Sequence, residues 1–141
     1  MNDSLQARSA LVVFSGGQDS TTCLYWAINH FDAVRTLTFD YGQRHRIELE
    51  CAKQIAELAR VPHEVLSIGT FAELGGNALT GNQEVEVQKE KSNRENLPNT
   101  FVPGRNLILL SFAAARAWQL EIENIVTGVC RTDYSLSLIH I

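Results

Sequence analysis

The stretch from Leu11 to Leu24 constrains the fold more than any other part of the chain. It reads Leu-Val-Val-Phe-Ser-Gly-Gly-Gln-Asp-Ser-Thr-Thr-Cys-Leu. Leu11 to Phe14 is an unbroken apolar run, the pattern of a parallel strand covered on both faces. Ser15 to Asp19 cannot continue it. Gly16 and Gly17 carry no Cβ, so the backbone can turn sharply and bring its N–H groups close to an anion. Ser20 to Thr22 would then form a first helical turn, whose unpaired N–H groups and dipole favour a phosphate. The dipole contributes only about 0.3–1 kcal/mol, so affinity requires several donors acting together. Ser15, Ser20, Thr21 and Thr22 supply hydroxyls for that purpose. Asp19 is out of place in a phosphate cradle unless it caps the helix or helps to hold Mg²⁺. An ordinary strand-to-helix turn, capped by Asp19 or Ser20, is the competing explanation.

Two commoner phosphate loops are excluded. A Walker A loop ends in Gly-Lys-[Ser/Thr], and the first lysine here is Lys53. The dinucleotide fingerprint needs three spaced glycines, whereas Gly16 and Gly17 are adjacent and none follows nearby.

Beyond the helix expected over about residues 20–30, Ala33 to Phe39 is rich in β-branched and aromatic residues and predicts a second strand. Asp40-Tyr41-Gly42-Gln43 breaks it. Ile47, Cys51, Ala52, Ile55, Leu58 and Ala59 then fall on one helical face, with Glu48, Glu50, Lys53 and Glu57 opposite. Val61-Pro62 ends that helix, and His63 to Ile68 predicts a third strand. Phe71 to Leu79 fits a short helix. Gly81 to Pro98, with four glutamates against three basic residues, fits a mobile surface loop. Arg105 to Leu120 predicts another helix, with Leu107, Leu110, Ala114 and Trp118 as its buried stripe. Ile125 to Thr127 predicts a fourth strand. Trp26, Phe112 and Trp118 sit at helical positions and are expected to pack, as are Cys23 and Cys51.

Strand and helix alternating at this spacing imply an α/β fold, an open parallel sheet with helices on both faces and right-handed crossovers. Ligands in such sheets sit beyond the carboxyl ends of the strands. The turn after Phe14, the segment Asp40 to Arg46 and the segment Gly128 to Ser135 should therefore converge on one edge. Arg44 and Arg46 suit carboxylate or phosphate as planar bidentate donors; a solvated turn is the alternative for that segment. Pro103 and Gly104 fix a bend that would bring Arg105 and Asn106 to the ligand, or simply begin a helix. Cys130 invites a sulfur-transfer reading, although a free cysteine is more often a small buried hydrophobe.

Bulk properties narrow the function class. With 141 residues, 45% of them hydrophobic, and a net charge of −4, the chain suits one soluble domain and lacks the basic field that attracts nucleic acid or anionic membrane. No stretch approaches 18 apolar residues, and Met1-Asn2-Asp3-Ser4 is no signal peptide, so a cytoplasmic location is expected. Cys23, Cys51 and Cys130 are odd in number and far apart, which favours reduced thiols, and their spacing makes no zinc site.

The string Ser-Gly-Gly-x-Asp-Ser resembles the PP-loop of ATP pyrophosphatases, the Rossmann-like adenine nucleotide α-hydrolase group. Phe14 to Leu24, Thr38-Phe39-Asp40-Tyr41-Gly42-Gln43-Arg44-His45, Asn99 to Asn106 and Thr127-Gly128-Val129-Cys130 together resemble one branch, the 7-cyano-7-deazaguanine synthases of queuosine precursor biosynthesis. The resemblance runs from about residue 10 to Ser135. It implies a ligase that converts 7-carboxy-7-deazaguanine and ammonia to the nitrile through adenylation by ATP, releasing AMP and pyrophosphate. Phe14, Ser15, Gly16, Gly17, Gln18, Asp19, Ser20, Thr21, Thr22, Cys23 and Leu24 would bind ATP with Mg²⁺. Asp19, Arg44, His45 and Arg105 are the candidates for catalytic contact. The implied partners are small molecules, with no direct nucleic acid and no membrane, and a homodimer is compatible.

The family continues past this point with a helical portion whose four cysteines bind Zn²⁺. Here Leu136 to Ile141 departs from the pattern. The expectation is an incomplete PP-loop domain over 1–135, a non-family tail over 136–141, and no metal ligands in this chain. Another PP-loop adenylating enzyme, such as an amidotransferase-type synthetase or tRNA thiolase, and an inactive nucleotide-binding fragment are the alternatives.

Overall fold

Residues 8–40, 46–69 and 104–129 are described by the computed structural model. Four strands, β1 (Ser9–Val13), β2 (Ala33–Asp40), β3 (His63–Ser67) and β4 (Asn124–Thr127), alternate with helices α1 (Gln18–His30), α2 (Arg46–Leu58) and α3 (Arg105–Gln119). The strands form one parallel sheet in the order β3-β2-β1-β4. The chain thus moves outward from β1 to β3 and then returns to the other side of β1. That reversal is the topological switch point at which open α/β sheets bind ligands.

Alternating side chains on the strands divide the core into two layers. Leu11, Leu37 and Phe39 pack with Ala113 and Ala117 of α3 on one face. Val12 and Phe14 pack with Leu24 and Ala27 of α1 and Ala52 of α2 on the other. Helices therefore cover both faces, and β1 is apolar from Ala10 to Val13 because it is buried from both sides. The pairing of β1 with β2 extends one step into the loop, where the Phe14 N–H donates to the Leu37 carbonyl at 2.8 Å. The Thr38 hydroxyl in turn donates to the Phe14 carbonyl.

Several expectations are corrected. The outward-facing residues of α3 include Leu107, Ala114 and Trp118, the last 82% exposed, while Asn106, Ala113 and Ala117 are buried. Ala113 and Ala117 face the sheet between the partly buried Ile108 and Leu109, so the helix axis can approach closely while Leu107 and Trp118 are left outside. The stripe on α2 shifts for the same reason: Ala52 and Ala56 are buried, whereas Ile47, Cys51 and Leu58 are exposed. Trp26 and Phe112 are about half exposed, and Trp26 stacks on His30 one turn away instead of entering the core. Cys23 is half-buried against the α1 layer, as expected of a packing residue. Helix α2 stops at Leu58, before Val61-Pro62, and the chain leaves through Arg60 in the left-handed conformation, φ 57°. Helix α1 starts earlier than expected. Gly17 is its N-cap, without a side-chain cap, and Asp19 and Ser20 lie within its first turn. The helix at 71–79, the loop at 81–98 and the tail at 136–141 lie outside the described residues.

Candidate nucleotide site

The loop between β1 and α1 is held by its own hydroxyls. Ser20 Oγ accepts from the Ser15 N–H at 3.3 Å, donates to the Gly17 carbonyl at 3.1 Å, and lies 3.1 Å from Ser15 Oγ. Ser20 is buried, so its hydroxyl acts as an internal brace for the turn. Thr22 Oγ1 donates back to the Gln18 carbonyl at 3.0 Å, within the helix. The first N–H returned to the helix is that of Thr21, at 2.9 Å from the Gly17 carbonyl. The N–H groups of Gln18, Asp19 and Ser20 precede that ladder, and helix geometry leaves such groups to an outside acceptor.

Gly16 is required twice over. Its φ is +78°, and a Cβ there would lie 3.0 Å from both Cα and N of Ala52 on α2. The loop therefore rests directly on the backbone of the neighbouring helix. Gly128, just past β4, is also confined: a Cβ would lie 3.1 Å from the Asp19 carbonyl carbon and 3.3 Å from Cys23 Sγ. The end of β4 and the first turn of α1 thus touch, closing one side of the site.

A cavity of about 280 Å³ opens at this edge. Ser15 and Ser20 line it from the loop, Thr38 and Phe39 from β2, and Thr127, Gly128 and Val129 from β4. Glu48 and Leu49 enter from α2; Arg105, Asn106 and Leu109 enter from α3. Arg105 Nε donates to Asn106 Oδ1 at 3.4 Å. The carboxyl ends of β1, β2 and β4 do converge, and the first turn of α3 joins them. Of the candidate catalytic residues, Arg105 lines the cavity and Asp19 stands exposed on the first turn of α1. Leu24 is fully buried behind the loop, and Phe14 is buried beneath it while lining the cavity. Arg44, His45 and the rest of Tyr41 to His45 lie outside the described residues, as do Asn99 to Pro103 and Cys130 to Ser135. Spacing places Glu48 opposite the apolar face of α2, and it is exposed there. Its approach to the cavity follows from where α2 begins, which periodicity does not give.

One titratable group supports the loop from below. His63 at the start of β3 meets the Phe14 ring edge-on at 6.3 Å. Its Nδ1 lies 2.9 Å from Thr36 Oγ1, which donates to the Pro62 carbonyl at 3.2 Å. That arrangement makes Nδ1 the donor. Nε2 is buried without a hydrogen-bond partner among the described residues. Burial pushes the imidazole pKa below its ordinary value; Glu57 opposes the change and Lys53 adds to it.

Among the described residues no three metal-ligating side chains gather. A single carboxylate beside a phosphate cradle is still a normal arrangement for Mg²⁺, which is commonly held by phosphates and one or two carboxylates. Asp19 fits that description.

Residues 9–136 match a family described as queuosine biosynthesis protein QueC. The chain belongs to that family. The QueC-family chain is 59% identical over 126 residues to the 7-cyano-7-deazaguanine synthase of Laribacter hongkongensis, covering 89% of this chain and 55% of that protein. It is 52% identical over 131 residues to the enzyme of the same name from Lysinibacillus sphaericus, covering 93% of this chain and 58% of that protein. It therefore spans little more than half the length of these relatives. Among solved structures it is similar to the NMN synthetase of Francisella tularensis, with a TM-score of 0.52 at 15% identity over 85% of this chain and 45% of that one. Identity that low shows the Rossmann-like α/β fold alone. No helix among the described residues of the QueC-family chain is long and apolar enough to cross a membrane.

Proposed function

We propose that this chain is the ATP-binding part of a carbon–nitrogen ligase that makes 7-cyano-7-deazaguanine from 7-carboxy-7-deazaguanine and ammonia. The observation that carries the reading is the position of the braced Ser15-to-Ser20 loop. It lies at the β1–β4 switch point, in one cavity with Arg105 and Asn106. The amides at the start of α1 would take the β- and γ-phosphates, and Asp19 would share Mg²⁺ with them. A carboxylate oxygen of the acceptor attacks the α-phosphorus, and pyrophosphate leaves with the electron pair. Ammonia then adds to the acyl carbon and AMP departs, giving the amide. The amide oxygen attacks the α-phosphorus of a second ATP with release of pyrophosphate, and loss of AMP with the two N–H protons forms the nitrile.

The protein's share is positioning and charge stabilisation, with no covalent protein intermediate. Arg105 presents a planar donor pair to the acceptor carboxylate. Arg44 and His45 belong to the same proposal through their place after β2. Tyr41 to His45 and Arg105-Asn106 would contact phosphate or substrate in a soluble, cytoplasmic enzyme, and homodimerisation accords with it.

The test is pyrophosphate release by the full-length protein. Release that depends on the carboxylated deazapurine, with AMP formed in step, is expected. ATP binding without any acceptor-dependent release would replace the ligase by a nucleotide-binding module.

A further inference from the structure

Glu48 is the single acidic side chain on the cavity wall among the described residues, and Arg105 the single basic one. They arrive from opposite sides. Glu48 stands in the first turn of α2, which packs on the face of the sheet shared with α1. Arg105 begins α3, on the other face. The cavity therefore sets an acceptor-only group against a donor-only group.

Phosphate would be a direct partner of Glu48 only with a cation between them, since two bare anions repel. The adenine of ATP satisfies it only by half, because its amino donor adjoins a ring nitrogen that is itself an acceptor. The 2-amino-pyrimidinone edge of a deazaguanine is different. Its ring N–H and exocyclic amino group lie side by side, two donors that match the two oxygens of one carboxylate.

We propose that Glu48 is a specificity-determining residue that accepts from the ring N–H and 2-amino group of the acceptor, while Arg105 holds the carboxylate at its opposite end. The assignment rests on the ligase reading above and adds to it the orientation of the acceptor. The loop at Ser15 to Ser20 is then left to ATP, and the acceptor carboxylate is turned toward it.

Calorimetric titration of the full-length protein tests this with ATP·Mg²⁺, with 7-carboxy-7-deazaguanine, and with the analogue lacking the 2-amino group. Wild-type protein should prefer the 2-amino compound by roughly 10- to 100-fold, the range for hydrogen bonds to a charged group. Glu48→Gln should weaken the 2-amino compound by a similar factor, leave the analogue within about threefold of wild type, and leave ATP unchanged. Glu48→Asp, which keeps the charge, should retain part of the preference.

Equal affinity of wild type for the two compounds would sink the proposal without any mutation. So would a Glu48→Gln protein that keeps the preference, or one that loses ATP·Mg²⁺ instead, which would make Glu48 a metal ligand. If wild type ignores both deazapurines while binding ATP, the ligase reading itself fails, and it fails before any variant is made.

Discussion

Replacing Gly16 by alanine would place a methyl group where the structure has no room for one. The first cost is conformational: an L-residue in the left-handed region loses about 1–2 kcal/mol. The second is steric. The new Cβ would sit 3.0 Å from the backbone of Ala52 and 3.1 Å from its Cβ. Because the obstacle is helix backbone, relief requires α2 or the loop to move, and overpacking of that kind costs about 1–3 kcal/mol. Together the two give roughly 2–5 kcal/mol, against a typical total stability of about 5–15 kcal/mol. Thermal unfolding should fall by roughly 8–20 °C at about 4 °C per kcal/mol. Gly17 provides the internal control. Its φ is −75°, and its added Cβ would meet only Ser15 Oγ, at an ordinary 3.5 Å. Gly17→Ala should therefore change stability by less than about 1 kcal/mol, the weaker N-cap opposing the gain through the unfolded chain. Ala52→Gly should rescue Gly16→Ala only in part, since the two closest contacts are to main-chain atoms. Matched melting temperatures for the Gly16 and Gly17 variants in differential scanning calorimetry would refute the reasoning.

Two further outcomes follow from packing and protonation. Burial lowers the His63 pKa from 6.5, so below that value the unfolded chain binds a proton that the folded chain still refuses. Stability should fall as pH drops through the ordinary histidine range and level off beneath the lowered pKa. Urea unfolding across that window should show a shallower pH slope for His63→Gln than for wild type, and identical slopes would remove His63 from the account. On α3, Trp118→Ala should change stability by no more than about 0.5 kcal/mol, as at other exposed positions. Ala117→Leu, directed at the sheet, should cost about 1–3 kcal/mol. The reverse order in chemical denaturation would mean that the face of α3 is misassigned.

The sheet was legible from the sequence because its strands carry unambiguous signals. Leu11 to Phe14 is apolar without interruption, and Ala33 to Phe39 is β-branched and aromatic. Gly-Gly after the first run marks the loop, and the topology rules for α/β sheets then bring the strand ends together. Helix faces were less legible. Periodicity favours the large apolar residues, so Leu107 and Trp118 outweighed Ala113 and Ala117 although the latter pack on the sheet. Alanine has too little hydrophobicity to announce a buried face, yet it is what allows a helix to approach a sheet closely. Glu48 was hidden for a different reason. Its chemistry depends on the direction in which α2 leaves the cavity, a three-dimensional relation that spacing along one helix does not encode.

The contact between Gly128 and the first turn of α1 bears on the order in which the site is made. During synthesis the loop at Ser15 to Ser20 leaves the ribosome early, but its far wall is not translated until α3 and β4 have followed. β4 is also the shortest of the described strands, with four residues, all only partly buried. A nucleotide that fits this cavity would therefore act as a tether for β4, the last of the described strands to arrive. At a hundredfold excess over its dissociation constant such a ligand adds about 2.7 kcal/mol to the assembled state. Slower amide exchange in Asn124 to Thr127 is where that stabilisation should first be seen.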